Sequence, residues 1–169
     1  MGVAEGGYDP VVGEATVEVA ASRQRVWDFV TAPESMFFVS DGVTKTFRVP
    51  GTPVGRPGEQ ICVVHDLGGI VSVQMVEVSS TNAPTMFAAR WLTSEGGLVE
   101  RTVLTALDGD RTALNLQLEM IVPHGEGQRI APSLQQQTES SVRRIRAAIE
   151  SGAHFRRPDD PAGLVTDEG

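Results

Sequence analysis

The 169-residue sequence has one cysteine, one lysine, few aromatic residues and no long apolar run. Because Cys62 is the only cysteine, an internal disulfide is excluded, and the composition fits a reducing compartment. The apolar runs are too short to span a bilayer, so we expect no membrane insertion. Residues 1–10 combine neither a basic start nor an apolar run, so we predict no signal peptide and a cytoplasmic location.

Basic residues are also scarce: 14 lysines and arginines stand against 22 acidic residues, for a formal net charge of -8. Nucleic-acid binding needs a basic face, so we expect no nucleic-acid partner. An apolar content of 40% and a charged content of 21% are typical of a globular protein with a real core. The length predicts a single domain.

Short catalytic and cofactor motifs are absent: there is no HExxH, GxSxG, GxGxxG, P-loop or CxxC. His65, His124 and His154 have no metal-ligand spacing with one another or with Cys62. We therefore expect no metal and no cofactor. Cys62 has no nucleophile signature around it, so we interpret it as a buried structural thiol.

Residues 127–152 show the clearest helical pattern in the chain. Their apolar side chains recur at spacings that form one stripe, and Gly152 ends the helix. Pro132 suits a helix only in its first turn, so we predict that the helix begins beside it. The middle of the stripe is polar, with Gln137 and Ser141 where a core helix carries leucine. This pattern predicts a helix that covers a cavity; a small rotation would instead turn both residues to solvent.

The rest of the chain predicts one strand, two short helices and then a run of strands. Residues 14–20 alternate apolar and polar side chains, and residues 23–30 and 33–38 form the short helices. Six further segments separated by turn signals predict an antiparallel meander, at 43–49, 59–65, 70–78, 85–92, 98–107 and 111–122.

These elements indicate one ligand-binding domain at residues 14–152, with no repeat or linker inside it. Residues 1–13 are rich in glycine, which predicts a flexible N-terminal arm. Residues 153–169 combine charge with proline, which predicts a disordered tail.

The strands at 85–92 and 98–107 can pair in more than one register. A three-residue loop at 94–96 would place Arg90 opposite Glu100, a favourable charge pair on the outer face. In that register Arg101 points inward, where it could bind an enolate, carboxylate or phenolate. In a shifted register Arg101 is solvated. The preferred register gathers the large apolar groups inside, among them Phe87, Trp91 and Val103.

Other polar residues are candidates for a site. His65 ends a strand and could act as an acid or base near neutral pH, or simply be exposed. Gln74 interrupts an apolar strand and either binds a ligand carbonyl or faces outward. Trp27 is first a core aromatic, which is compatible with lining a pocket. The predicted substrate-binding residues are Trp27, Gln74, Phe87, Trp91, Val103, Leu116, Gln137 and Ser141.

The order of the elements and two motifs resemble the START-like, or SRPBCC, helix-grip superfamily. Residues 15–30, ATVEVAASRQRVWDFV, look like its opening strand and first helix, and residues 107–112, LDGDRT, look like its last hairpin. The resemblance implies an α+β fold, in which a curved antiparallel sheet of about seven strands wraps around a long C-terminal helix. It also implies a deep hydrophobic cavity between them. Residues 31–33 differ from the aspartate-proline turn common in relatives.

In the polyketide cyclase/dehydratase members of that superfamily, a cavity arginine and aromatic groups hold a polyketone chain during aldol closure and dehydration. The resemblance therefore implies a cofactor-independent cyclase of bacterial natural-product biosynthesis. Arg101 would stabilise an enolate oxygen, and His65 or a water would move the proton.

Two alternatives need no catalysis. A carrier for a lipid or another apolar small molecule needs only the cavity, and an interaction domain would have a filled one. A hydrophobic small molecule is the expected partner in the first two hypotheses, and a homodimer through the outer sheet face is compatible with all three.

Overall fold

The computed structural model describes residues 7–92, 97–153 and 155. Within them, a seven-stranded antiparallel sheet curves around one long helix. The elements in chain order are β1 (Tyr8–Val19), α1 (Arg23–Val30), a 3-10 turn (Pro33–Ser35), α2 (Met36–Val39), β2 (Val43–Arg48), β3 (Gln60–Asp66), β4 (Val71–Asn82), β5 (Met86–Leu92), β6 (Leu98–Asp108), β7 (Arg111–Pro123) and α3 (Gly127–Glu150).

The sheet order is β1-β7-β6-β5-β4-β3-β2, with every neighbouring pair antiparallel. Strands β2 to β7 thus form the predicted meander, and β1 pairs with the last strand from Tyr8 opposite Pro123 to Val19 opposite Thr112. The predicted helix-grip fold class is confirmed. Within the described ranges, no helix is long and apolar enough to cross a membrane.

Two boundaries differ from the prediction by five residues or more. Strand β1 begins at Tyr8, so residues 8–13 belong to the sheet and not to the predicted arm, because β7 is long enough to pair with them. Helix α3 begins at Gly127, five residues before Pro132. Proline removes one hydrogen bond to the carbonyl four residues earlier. That carbonyl belongs to Gln128, which is exposed, so water can satisfy it.

The predicted tail is described at Ala153 and Phe155 only; the remainder lies outside the described residues. The Phe155 ring packs on Phe29 and Phe38, with centroids 5.3 and 5.8 Å apart. The Arg25 guanidinium donates to the carbonyls of Ile149 and Ala153 at the end of α3. Helix α1 is thereby joined to the C-terminal end of α3.

Helix α3 lies directly against β1 because Gly13 has no side chain. A Cβ at Gly13 would stand 2.5 Å from Thr138 Oγ1 and 2.8 Å from the Leu134 carbonyl oxygen. Thr138 is fully buried, and its hydroxyl donates to that same carbonyl at 2.8 Å. The Gln135 side chain also bonds both backbone groups of Glu14, at 3.0 and 2.9 Å.

We call this contact between α3 and β1 at Gly13 the seam. The core fills the space between the seam, α1 and strand β7. Leu114, Leu116 and Leu118 are buried there, as their alternation predicts. Val142, Ile145 and further apolar residues of α3 close the core from the helix side, namely Leu134, Ala148 and Ile149. Toward β3–β6 the helix stands away from the sheet, and a space remains.

Candidate functional site

A cavity of about 590 Å³ lies between the concave face of the sheet and α3. Its walls are the inward side chains of five strands, the α1–α2 segment and the middle of α3. The strands contribute Ile61, Val63 and His65 (β3), Ser72, Gln74 and Val76 (β4), Phe87, Ala89 and Trp91 (β5), Leu98, Glu100 and Thr102 (β6), and Leu116, Leu118 and Met120 (β7). The lining is therefore mostly apolar with a few polar groups, as is usual for small-molecule sites.

The pairing of β5 with β6 differs by one residue from the predicted register. Ala89 stands opposite Glu100, and Ala88 stands opposite Arg101. Residues 94–96, the predicted loop, lie outside the described residues. Because side chains alternate along a strand, this shift moves every residue of β6 to the other face.

Two predicted site residues are thereby wrong in position. Arg101 is exposed on the outer face, and Val103 also points away from the cavity. Glu100 takes the inward place that was predicted for Arg101. The cavity consequently contains a carboxyl group where a guanidinium was expected.

Glu100 faces the cavity from within the protein. Burial raises the pKa of its carboxyl above the ordinary value of 4.5, and a hydrogen bond from Trp91 lowers that pKa in part. The Trp91 indole Nε1–H donates to Glu100 Oε2 at 3.4 Å, a long bond that offsets little of the desolvation. The residue keeps some accessible surface because it borders the open cavity. The raised pKa favours the protonated form, which can donate a hydrogen bond to a ligand.

His65 is another titratable group of the lining, and it is only 7% exposed. Its Nδ1 lies 3.2 Å from the backbone oxygen of Asp41. A carbonyl oxygen can only accept, so Nδ1 holds the proton in this contact. In the neutral ring Nε2 then has the lone pair, and Nε2 is buried with no partner among the described residues.

The mouth of the cavity is marked by lining residues that are exposed, including Asp41, Leu67 and Gln137. Arg144 of α3 reaches across it to Asp41, with contacts of 2.8 and 3.2 Å to the two carboxylate oxygens. The same guanidinium donates to the Val39 carbonyl at 3.3 Å. Hydrogen bonding to Arg144 lowers the pKa of Asp41 and raises that of Arg144. This ion pair joins α3 to the segment between α2 and β2.

The other predicted residues divide between lining and support. Phe87, Trp91, Gln74, Leu116, Ser141 and Gln137 line the cavity, Ser141 from a buried position and Gln137 from its exposed rim. Trp27 does not line it. The Trp27 ring packs edge-on against Phe87, with centroids 6.5 Å apart, and supports that side chain from behind.

Glu100 is one of the lining residues that the sequence interpretation missed, because it was assigned to an outer charge pair with Arg90. In the structure Arg90 instead contacts Glu77 at 2.7 Å on the outer face. Within residues 7–92, 97–153 and 155, no three His, Cys, Asp or Glu side chains come together as metal ligands do.

Comparison with known proteins finds similarity at the level of structure. No family model matches the sequence, and no curated protein matches it. A START superfamily protein from Mycobacterium smegmatis superposes with a TM-score of 0.62 and 17% identity, over 86% of this chain and 96% of that one. Norcoclaurine synthase from Thalictrum flavum, solved with dopamine and hydroxybenzaldehyde, gives 0.64 and 13% identity, over 89% and 91%. The Zhui aromatase/cyclase from Streptomyces sp. R1128 gives 0.57 and 19%, over 85% and 90%.

At sequence identities below 20%, these similarities support a shared fold only, because one fold hosts many activities. The superpositions nonetheless cover 85 to 89% of this chain and 90 to 96% of the three solved chains. The chain has the START-like helix-grip fold.

Proposed function

We propose that this protein is a cofactor-independent cyclase that acts on a hydrophobic, polyketide-type carbonyl compound. The observation that carries the proposal is His65, a lining residue whose buried Nε2 has no partner among the described residues, in a cavity that also contains the Glu100 carboxyl group, whose pKa burial raises. A buried acceptor without a partner is costly unless a ligand or water satisfies it. An acceptor and a donor on one apolar cavity suit a substrate with carbonyl groups along a hydrophobic chain.

The cavity residues divide the chemistry between them. His65 Nε2 takes a proton from an acidic methylene between two carbonyls, which leaves an enolate. The enolate carbon attacks a second carbonyl of the same chain, whose oxygen receives a hydrogen bond and then a proton from Glu100. The Glu100 carboxylate then removes the remaining proton from the attacking carbon, while the His65 imidazolium protonates the new hydroxyl group, which leaves as water. Both side chains return to their starting forms.

The apolar walls supply the remaining contribution. They hold a flexible chain in a folded conformation, so that ring closure becomes an intramolecular reaction of preset geometry. Phe87 and Trp91 present aromatic faces for this purpose, with Trp27 holding Phe87 in place. Exclusion of water also protects the enolate from competing protonation.

The test is turnover of a linear poly-β-ketone presented as its N-acetylcysteamine thioester, with products identified by mass spectrometry. We expect His65→Gln to lower kcat by about 10²- to 10⁴-fold, the usual contribution of a positioned base. Glu100→Gln keeps a hydrogen-bond donor but cannot give a proton, so we expect a smaller loss.

Matched controls are available for both substitutions. His124→Gln changes an exposed histidine paired with Asp9, and Glu119→Gln changes a residue of the outer face of β7. Equal turnover in His65→Gln and His124→Gln would remove the catalytic role of His65.

A carrier for an apolar ligand is the second candidate function. Leu67, Ile70, Val71 and Val73 are 59 to 73% exposed on the β3–β4 hairpin, and Leu67 also lines the cavity mouth. Such a patch suits transfer of an apolar molecule between the cavity and another surface. Mass spectrometry of molecules extracted from the purified protein distinguishes the two functions, since a carrier retains an unaltered ligand.

A further inference from the structure

Asp41 contacts both Arg144 at the cavity mouth and His65, the candidate base. Its carboxylate accepts from Arg144 of α3, while its backbone carbonyl accepts from Nδ1 of His65. We propose that the Arg144–Asp41 ion pair is a positioning device that holds His65 in the Nδ1–H tautomer, which leaves the lone pair on Nε2. The proposal rests on the proposed role of His65 in the site.

The tautomer decides what the ring can do. With the proton on Nδ1, Nε2 is an acceptor that can take up a proton; with the proton on Nε2, that nitrogen is a donor. In water a neutral imidazole populates both forms, so a fixed acceptor at Nδ1 must select one. The Asp41 carbonyl is the contact that the described residues offer to Nδ1.

The position of that carbonyl depends on the short segment 40–42. On one side, Asp66 N–H donates to the Gly42 carbonyl at 2.8 Å, which ties the segment to the end of β3. On the other side, Arg144 bonds both Asp41 carboxylate oxygens and the Val39 carbonyl. A guanidinium that bonds a carboxylate through two nitrogens fixes orientation as well as distance.

Arg144 is suited to this role by its place on α3, one turn beyond the cavity-lining Ser140 and Ser141. Its neighbour Arg143 points elsewhere, with 65% of its side chain exposed and a 3.8 Å contact to Glu139 of the same helix. The two arginines therefore form a natural pair for comparison: adjacent, of equal charge, and only one connected to Asp41.

The test reads the tautomer by ¹⁵N NMR of histidine-labelled, ligand-free protein, where protonated and unprotonated ring nitrogens differ widely in shift. Spectra are recorded at about pH 8.5, above the ordinary histidine pKa. His65→Gln identifies the His65 signals by their loss. In the wild-type protein we expect Nδ1 protonated and Nε2 unprotonated.

In Arg144→Ala we expect the ratio of the two His65 tautomers to shift toward Nε2–H by up to about five-fold, the range that an exposed ion pair can contribute. Asp41→Asn should shift the ratio in the same direction, and it changes a side chain that is 80% exposed, so the fold is retained. Arg144→Lys keeps the charge and should restore part of the wild-type ratio. Arg143→Ala should leave the ratio unchanged.

A double substitution completes the test. If Arg144 acts through Asp41, Arg144→Ala combined with Asp41→Asn should shift the ratio no further than either change alone. A wild-type ring protonated at Nε2 would overturn the proposal, as would a ratio in Asp41→Asn equal to that of the wild type. Because turnover is not measured, these outcomes are independent of whether the protein is a cyclase.

Discussion

Helix α3 has polar residues on two sides: one side packs against β1, and the other borders the cavity. On the side toward β1, Thr138 and Gln135 are bonded to nearby backbone, and the helix touches the strand at Gly13. On the side toward β3–β6, Ser141 and Gln137 border a cavity. Small polar residues therefore occur both where α3 packs closely on β1 and where it borders the cavity.

The difference shows that polarity alone does not indicate a cavity. Thr138 is as polar as Ser141, but its hydroxyl is satisfied within the helix and its other atoms fill the space above a glycine. What distinguishes the two sides is the partner strand: β1 approaches closely because of Gly13, whereas β3–β6 curve away. Substitutions on each side should consequently affect different properties.

The largest expected effect on stability comes from adding a side chain at Gly13, where α3 and β1 are in contact. In Gly13→Ala the new Cβ would overlap Thr138 Oγ1 and the Leu134 carbonyl, and a backbone atom cannot move aside cheaply. We expect the free energy of unfolding to fall by about 2 kcal/mol, the usual cost of overpacking. Urea denaturation followed by circular dichroism measures it.

Gly109→Ala is the control, because a Cβ there would meet nothing within 4 Å. Its free energy of unfolding should change by less than about 0.5 kcal/mol. Adding Thr138→Ala to Gly13→Ala should recover part of the loss by removing one of the two overlaps. If Gly13→Ala were as stable as Gly109→Ala, the close seam between α3 and β1 would not exist.

A smaller effect on stability, with a large effect on binding, is expected from Ser141→Leu. Leucine would enter the cavity, so the free energy of unfolding should rise or fall by no more than about 1 kcal/mol. The cavity volume left for a ligand shrinks, so affinity for the neutral dye N-phenyl-1-naphthylamine should fall about ten-fold. Dye fluorescence titration measures this affinity.

Ser133→Leu makes the same change on the exposed side of α3, where the Ser133 hydroxyl bonds the Ile130 carbonyl. It should leave dye affinity as in the wild-type protein. Equal dye affinity in Ser141→Leu and Ser133→Leu would mean that the dye does not occupy the cavity.

The smallest effect is expected from Glu100→Gln, which preserves volume and alters only ionisation. Because burial raises the pKa of Glu100 in the folded protein, folding favours its protonated form. The stability that this provides is complete below the ordinary pKa of 4.5 and is lost as pH rises toward the raised pKa. Glu100→Gln cannot lose it, so its stability relative to the wild type should increase over that interval.

Unfolding measured from pH 4 upward checks this prediction. Trp91→Phe removes the indole hydrogen bond that lowers the pKa of Glu100, so it should extend the interval to higher pH. A difference between Glu100→Gln and the wild type that stays constant with pH would show that folding leaves the pKa of Glu100 unchanged, which contradicts the raised pKa.

Sequence periodicity predicted the fold well because each element has a consistent pattern. The alternation of Leu114, Leu116 and Leu118 placed the core on the correct face of β7, and α1 lies at the predicted residues. The start of β1 was missed because residues 8–13 contain glycine and proline. Their strand conformation comes from pairing with β7, which local sequence does not reveal.

The site was harder to predict because it depends on register. The sequence favours a cross-strand pair of Arg90 with Glu100. A shift of one residue in the β5–β6 pairing places Glu100 at the inward position in place of Arg101. No periodicity distinguishes two adjacent charged residues on one strand. The contact of His65 with Asp41 was equally hidden, since it joins two segments that are 24 residues apart.

The seam at Gly13 also bears on how such a protein can change over evolutionary time. The close contacts of α3 with β1 lie on one side of the helix, and the α3 residues that line the cavity lie on another. Lining residues can therefore be exchanged with little effect on where the helix sits. A lineage could acquire a new ligand through changes at the lining while a single glycine preserves the architecture.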